Sequence, residues 1–135
     1  METKLVFNDI IPFKGFMAMC LWPFIFVRNS AASRYNVVAN THEHTHAEQQ
    51  KEMLAVGIVL AAVLFLIGCG WWSLLALPLF FWWYGLEWCF RLVQYRNAHE
   101  AYRNISHERE AYANERDVGY LTRRRRFAWI HYLRK

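Results

Sequence analysis

Acidic residues and paired cysteines are scarce in this 135-residue sequence. Its three cysteines (Cys20, Cys69 and Cys89) are odd in number, lie in apolar stretches and have no C-x-x-C spacing. We therefore expect buried thiols rather than a disulfide framework or a cysteine metal site.

Residues 121–135 contain no acidic residue but six of the 16 basic ones, so the net charge of +5 belongs to a C-terminal tail. A chain that is 56% apolar is not disordered, and its length supports one domain, so any functional site must use the elements of that domain.

Charge is also missing from two long apolar runs. Residues 53–69 (MLAVGIVLAAVLFLIGC) contain no charged residue, and residues 71–90 contain one, Glu87. As helices, the two runs would extend roughly 25 and 30 Å, close to the ~30 Å hydrocarbon core of a bilayer. The sequence therefore predicts two transmembrane helices joined by a turn at 68–70. A buried hairpin in a soluble protein is the alternative.

The distribution of basic residues predicts the orientation of this hairpin. The turn at 68–70 contains no Lys or Arg, whereas basic residues both precede and follow the hairpin. By the positive-inside rule, both termini are cytoplasmic and the turn is outside. The segments before residue 52 and after residue 91 then lie on the same face of the membrane, so residues from both can meet in one site.

A third apolar run, residues 16–27, is too short for a spanning helix and contains Pro23. Aromatic and β-branched residues at 22–27 favour extended structure, and the alternative is the apolar core of a signal peptide. The predicted fold class is a mainly α membrane protein with a small zincin-like α+β cytoplasmic part. As one domain, it comprises a β segment (1–39), a motif helix with the hairpin (40–90), and a polar helix with a basic tail (91–135).

The motif with clear chemical meaning is H-E-x-x-H, formed by His42, Glu43 and His46. On a helix, positions i and i+4 lie on one face, so the two histidines can bind one metal ion with Glu43 beside it. We expect this helix to begin at Asn40 as its N-cap. The alternative is a solvated histidine cluster, including His44, that lies above the membrane surface.

A third metal ligand is expected from the acidic segment 106–115, because catalytic zinc sites use three protein ligands. Glu110 is preferred, since Asn114 lies one turn later and can orient it, and Glu108 is the alternative third ligand. An ordinary charged helix surface is the alternative for the whole segment. Residues 92–113 are predicted to form one long polar helix, with a break near 104–106 that brings Glu110 back towards His46.

These motifs, with an apolar hairpin between them, resemble those of gluzincin metallopeptidases. The similarity is to the CaaX prenyl protease and bacterial heat-shock membrane protease family and to the small minigluzincins. It implies a Zn²⁺ cofactor bound by His42, His46 and Glu110, with Glu43 as general base. E-A-Y-A-N at 110–114 takes the place of the family's E-x-x-A-D, so Asn114 replaces the usual Asp.

The resemblance also implies a peptide or protein substrate and a bacterial inner-membrane location. Family members place a strand ahead of the first motif, on which the substrate backbone pairs. The residues expected to form this substrate edge strand are Phe24, Ile25, Phe26 and Val27. The candidates for a residue that stabilises the oxyanion are His107, Tyr120 and His131.

The expected function is therefore an integral-membrane zinc endopeptidase in which Glu43 takes a proton from the attacking water. A noncatalytic metal-binding assembly or sensor subunit of the same fold is the alternative. The tail at 121–135 interleaves cations with aromatic residues, which beside a membrane favours binding to anionic lipid headgroups over nucleic acid. Pairing with a second copy of the chain is a further expectation, because a dimer would complete the lipid-buried surface.

Overall fold

A computed structural model describes residues 2–134 as a mainly helical chain with one small sheet. The three strands are β1 (Lys4–Asn8), β2 (Ala18–Leu21) and β3 (Phe24–Arg28). The strand order is β1-β3-β2, with β1 parallel and β2 antiparallel to β3. Ile25 and Val27 of β3 are completely buried and pack with Cys20 and Ala47, which holds the sheet against the motif helix.

The position of β3 corrects one sequence prediction. Residues 24–27 were expected to form an open edge strand, but they lie in the centre of the sheet and pair with β1 and β2. Their backbone groups are used by both neighbouring strands and are not open to a substrate. The edges of this sheet are β1 and β2.

The H-E-x-x-H motif lies on α1 (Val37–Leu64), the longest helix of the described residues. A 3₁₀ helix, Asn29–Arg34, leads from β3 into it. α1 begins at Val37 rather than near Asn40, because the side chain of Asn36 accepts a hydrogen bond from the Ala39 N–H at 3.0 Å and acts as the N-cap. The motif therefore occupies the second and third turns, and the same helix continues into the apolar run.

The chain after α1 does not form a second spanning helix. A π-helical turn, Phe65–Cys69, reverses the chain, with φ values of 97° at Gly68 and 55° at Gly70. A 3₁₀ helix, Gly70–Ala76, and α2 (Leu79–Tyr95) follow. Pro78 separates these two helices, because it has no N–H to donate. Among residues 2–134, one helical stretch, Val37–Ala76, is long and apolar enough to cross a membrane. The prediction of a two-helix transmembrane hairpin is therefore wrong in its second helix.

Much of this apolar region is exposed. Only 17% of the most apolar window of Val37–Ala76 is buried, whereas a core helix of a soluble protein is mostly buried. Leu66, Trp71 and Trp72 near the turn are each about four-fifths exposed. Leu86 and Phe90 extend the exposed apolar surface along α2.

The single helix predicted for 92–113 is instead divided into pieces. Arg96 adopts a left-handed conformation that ends α2, and Asn97 caps the short α3 (Ala98–Arg103) by accepting hydrogen bonds from two backbone N–H groups. After a break at 104–105, close to the predicted position, α4 (Ser106–Asn114) packs against α1. These interruptions bring the acidic segment to the motif.

The C-terminal segment folds back onto the protein. It contains α5 (Tyr120–Arg123) and a 3₁₀ helix, Ala128–Tyr132. Trp129 is buried against Met53 of α1 and Phe80 of α2. The basic tail is therefore part of the fold, because it packs against α1, which carries the motif, and against α2.

Candidate metal centre

Three buried side chains from two helices point their donor atoms at one another. His42 and His46 of α1 place their Nε2 atoms 3.2 Å apart. Glu108 of α4 lies 3.3 Å from His42 Nε2 through Oε2 and 3.2 Å from His46 Nε2 through Oε1. In a tetrahedral zinc site with bonds of about 2.0–2.1 Å, neighbouring ligand atoms lie about 3.3 Å apart. The three side chains therefore fit a metal ion, and their donors lie within 4.8 Å of one another.

The protonation state of Glu108 suits this role. Burial opposes ionisation of the carboxyl group, but the neighbouring His46 and His42 outweigh that effect and lower the pKa of Glu108 well below its usual range. Its Oε2 atom is buried and faces His42 Nε2 at 3.3 Å. Burial of a charged carboxylate is costly, and a bound cation would offset that cost.

Each histidine is also held at its other ring nitrogen. His42 Nδ1 lies 3.0 Å from Glu115 Oε2, and His46 Nδ1 lies 2.8 Å from Gln49 Oε1. Because both partners are oxygen acceptors, each Nδ1 donates its proton there, and Nε2 is the nitrogen that would bind a metal. Metal-binding histidines are typically oriented in this way.

The structure places Glu108, the alternative third ligand, beside the histidines instead of Glu110, the preferred one. Glu108 joins the histidines and also accepts a hydrogen bond from the Tyr84 hydroxyl at 2.7 Å. Glu110 is completely buried but pairs instead with Arg124, Tyr120 and Gln49. Positions 108 and 110 lie about 200° apart around a helix of 3.6 residues per turn, so only one of them can face the histidines.

Asn114, expected to orient a metal ligand, lies away from both histidines. Its amide donates to the Glu110 carbonyl at 2.7 Å and to the Tyr132 hydroxyl at 3.1 Å. Glu115, rather than Asn114, is the residue that orients a metal ligand, and it follows Glu108 by seven residues. An i, i+7 pair of glutamates on one helical face is the sequence signal that identifies both residues.

The three candidates for oxyanion stabilisation are not among the residues that line the cavities with Glu43. His107 stacks on Trp129 with ring centroids 4.4 Å apart, and burial lowers its pKa to about 3, so its ring is neutral. Tyr120 donates to Glu110, and His131 is exposed on the C-terminal 3₁₀ helix. Sequence spacing did not single out Tyr84 and Tyr102, which line the cavity with Glu43, because α2 and α3 reach the site only through the fold.

Two cavities of about 550 and 780 Å³ share His42 and Glu43 in their walls. The smaller also includes His46 and Glu108, and its other walls are mainly apolar. Glu43 is 8% exposed, and its Oε2 has no hydrogen-bond partner among the described residues. A carboxylate is thus placed where a substrate or water can reach the His-His-Glu group.

The geometry establishes a buried group that can hold a metal ion, formed by His42, His46 and Glu108. Two imidazoles and a carboxylate are compatible with several divalent metals, so geometry alone does not fix the identity of the ion. Comparisons of the chain with protein-family models, curated proteins and solved structures find no match.

Proposed function

We propose that this chain is a membrane-embedded zinc metallopeptidase of the gluzincin type. The observation that carries the proposal is the convergence of His42, His46 and Glu108, with Glu43 beside them in a cavity wall. Two histidines and one glutamate are a ligand set of catalytic zinc sites, which leave the fourth position open. A glutamate that directly follows the first histidine of H-E-x-x-H is the usual general base of this class.

The chain's own residues then have distinct tasks in peptide hydrolysis. Zinc bound at this group would polarise the scissile carbonyl and lower the pKa of a water molecule. Glu43 accepts the proton of the attacking water and passes it to the leaving amine as the C–N bond breaks. Glu115, Gln49 and Tyr84 hold the three ligand side chains in place.

The strand proposed to receive the substrate is β2. Its residues line the smaller cavity, and it lies at an edge of the sheet. The Met17 carbonyl accepts a hydrogen bond from the Arg28 N–H. Hydrogen-bonded and non-hydrogen-bonded pairs alternate along an antiparallel ladder, so the next residue, Ala18, points its N–H and C=O away from β3. An extended peptide that pairs at this edge would pass beside Glu43.

Membrane embedding is supported by the exposed apolar surface around the turn and along α2. Monomeric soluble proteins rarely expose large continuous apolar patches, whereas a bilayer covers them. In the tail, the side chain of Arg124 is buried against Glu52, and Arg123 pairs with Asp117 at 2.5 Å. Arg125 and Arg126 are exposed, and we assign binding of anionic lipid headgroups to these two residues.

The test is cleavage of fluorescent casein by the full chain in detergent micelles. Because Glu43 carries the proton, Glu43→Gln should lower kcat by about 10²–10⁴-fold while zinc remains bound. Glu48→Gln is the matched control, since Glu48 lies on the same helix and pairs with Lys51 at the surface. Chelation of zinc should stop cleavage by the wild type.

Two results would contradict this proposal. One is cleavage by Glu43→Gln at the wild-type rate. The other is wild-type protein that binds zinc but cleaves neither casein nor a library of extended apolar peptides, which would favour a noncatalytic metal-binding subunit.

A further inference from the structure

A chain of buried hydrogen bonds leads from the C-terminal segment to one of the proposed zinc ligands. Arg124 binds Glu110, Glu110 accepts a hydrogen bond from Gln49, and Gln49 contacts His46. Gln49 and Glu110 are completely buried, and the Arg124 side chain is 4% exposed. The contacts join α1, α4 and the residues just after α5.

The outer end of this chain is fixed by charge. Arg124 donates to both oxygens of Glu52 on α1, at 2.5 and 3.2 Å, and to both oxygens of Glu110 on α4, at 2.5 and 3.2 Å. The Tyr120 hydroxyl also donates to Glu110 at 2.7 Å. An ionised carboxylate only accepts hydrogen bonds, so Glu110 requires donors from every group that contacts it.

This requirement fixes the orientation of the Gln49 amide. Its Nε2 donates to Glu110 Oε2 at 2.9 Å and to the His107 carbonyl at 3.0 Å. A flipped amide would place Oε1 against two acceptor oxygens, which is unfavourable in a buried site. Oε1 therefore faces His46, whose Nδ1 must donate, and the lone pair of His46 Nε2 is left for a metal.

We propose that Gln49, Glu110 and Arg124 are positioning residues that hold His46 in its metal-binding tautomer. The inference rests on the metal centre of the proposed function and extends it to the C-terminal segment. His42 is held directly by a carboxylate, whereas His46 is held by an amide whose orientation depends on a buried ion pair. Part of the basic tail thus serves the metal centre.

The test measures zinc affinity of the full chain in detergent micelles by competition with a chromogenic chelator. Gln49→Met removes the contact to His46 and should weaken zinc binding by about 10–100-fold. Gln50→Met is the matched control, because Gln50 is a buried neighbour on α1 that bonds the Cys20 carbonyl and the Trp22 N–H instead of a ligand. It should stay within about threefold of wild type, and Co²⁺ bound to Gln49→Met alone should show an altered visible spectrum.

Glu110→Gln is a second test of zinc affinity, in which Gln49 itself is retained. Its neutral amide can present a donor to Gln49, which removes one of the two acceptors that fix the Gln49 amide, so zinc affinity should again fall by about tenfold or more. Wild-type zinc affinity and an unchanged Co²⁺ spectrum in both variants would overturn the inference, even if the metal-free proteins are less stable. That result would leave the metal centre intact, whereas failure of the wild type to bind zinc would remove both proposals.

Discussion

At the scale of single residues, the site depends on what holds each donor as much as on the donors themselves. The contact of His42 Nδ1 with Glu115 is charge-assisted, because a carboxylate accepts the imidazole proton. It fixes the plane of the ring and keeps Nδ1 as the hydrogen-bond donor. Glu115 therefore supports His42 as Gln49 supports His46, but with a full negative charge.

Replacing Glu115 by Gln tests this difference. The neutral amide can still accept the His42 proton, so we expect zinc affinity to fall about tenfold rather than to be lost. Asp117→Asn is the control, since Asp117 pairs with Arg123 at the surface. Chelator competition measures both variants, and equal affinity for Glu115→Gln and wild type would show that the carboxylate does not support His42.

Residue spacing predicted part of this centre. The i, i+4 relation places His42 and His46 on one face of any helix, and the structure brings these two together. The choice between Glu108 and Glu110 could not be made in the same way, because it depends on which face α4 turns towards α1. That face is set by the break at 104–105 and by contacts with α2 and the tail, such as Tyr84 with Glu108 and Arg124 with Glu110.

At the scale of elements, the close contact of α1 with the returning chain depends on a glycine. A Cβ atom at Gly57 would lie 2.5 Å from the Ala76 carbonyl oxygen and 3.1 Å from that of Leu77. These are backbone atoms at the end of the 3₁₀ helix, so they cannot move aside as the end of a flexible side chain would. Gly57 therefore permits the packing that returns the chain to α2.

Gly57→Ala should destabilise the protein although alanine favours helix. We expect the free energy of unfolding to fall by about 1–3 kcal/mol, because the clash exceeds the gain in helix propensity. Gly85→Ala on α2 is the control, since within residues 2–134 no atom beyond the neighbouring backbone of α2 lies within 4 Å of its added Cβ, and it should be neutral or stabilising by about 0.5–1 kcal/mol. Thermal unfolding in detergent, followed by circular dichroism, measures both, and equal midpoints would contradict the close packing.

Element boundaries were harder to predict than element types. Hydropathy predicts an apolar segment at 71–90 but does not distinguish one α-helix from a 3₁₀ helix, a proline and a shorter helix. The aromatic and β-branched residues at 22–27 indicated extended structure, and β3 is there. Its central place depends on β1 and β2, which are short and lack a strong alternating pattern.

At the scale of the whole molecule, three distant parts of the chain pack around α1 between residues 42 and 53. The sheet packs on one side through Cys20, Ile25 and Ala47, and α4 supplies Glu108. The tail packs against these helices through the ion pair of Arg124 and the buried ring of Trp129. The prediction that the segments on either side of the apolar region can meet assumed that both lie on one face of a membrane, and sequence alone gives no means to align them.

Two histidines of α1 and one glutamate of α4 can hold a metal ion, and we propose that this ion is zinc. The most direct measurement is the metal content of the full chain purified in detergent without added metal. We expect one zinc per chain in the wild type and in Glu100→Ala, whose replaced side chain is exposed on α3. Glu108→Ala should retain less than about a tenth of that zinc, because a three-ligand site loses a ligand. Wild-type protein without zinc, or Glu108→Ala with a full zinc complement, would contradict the account.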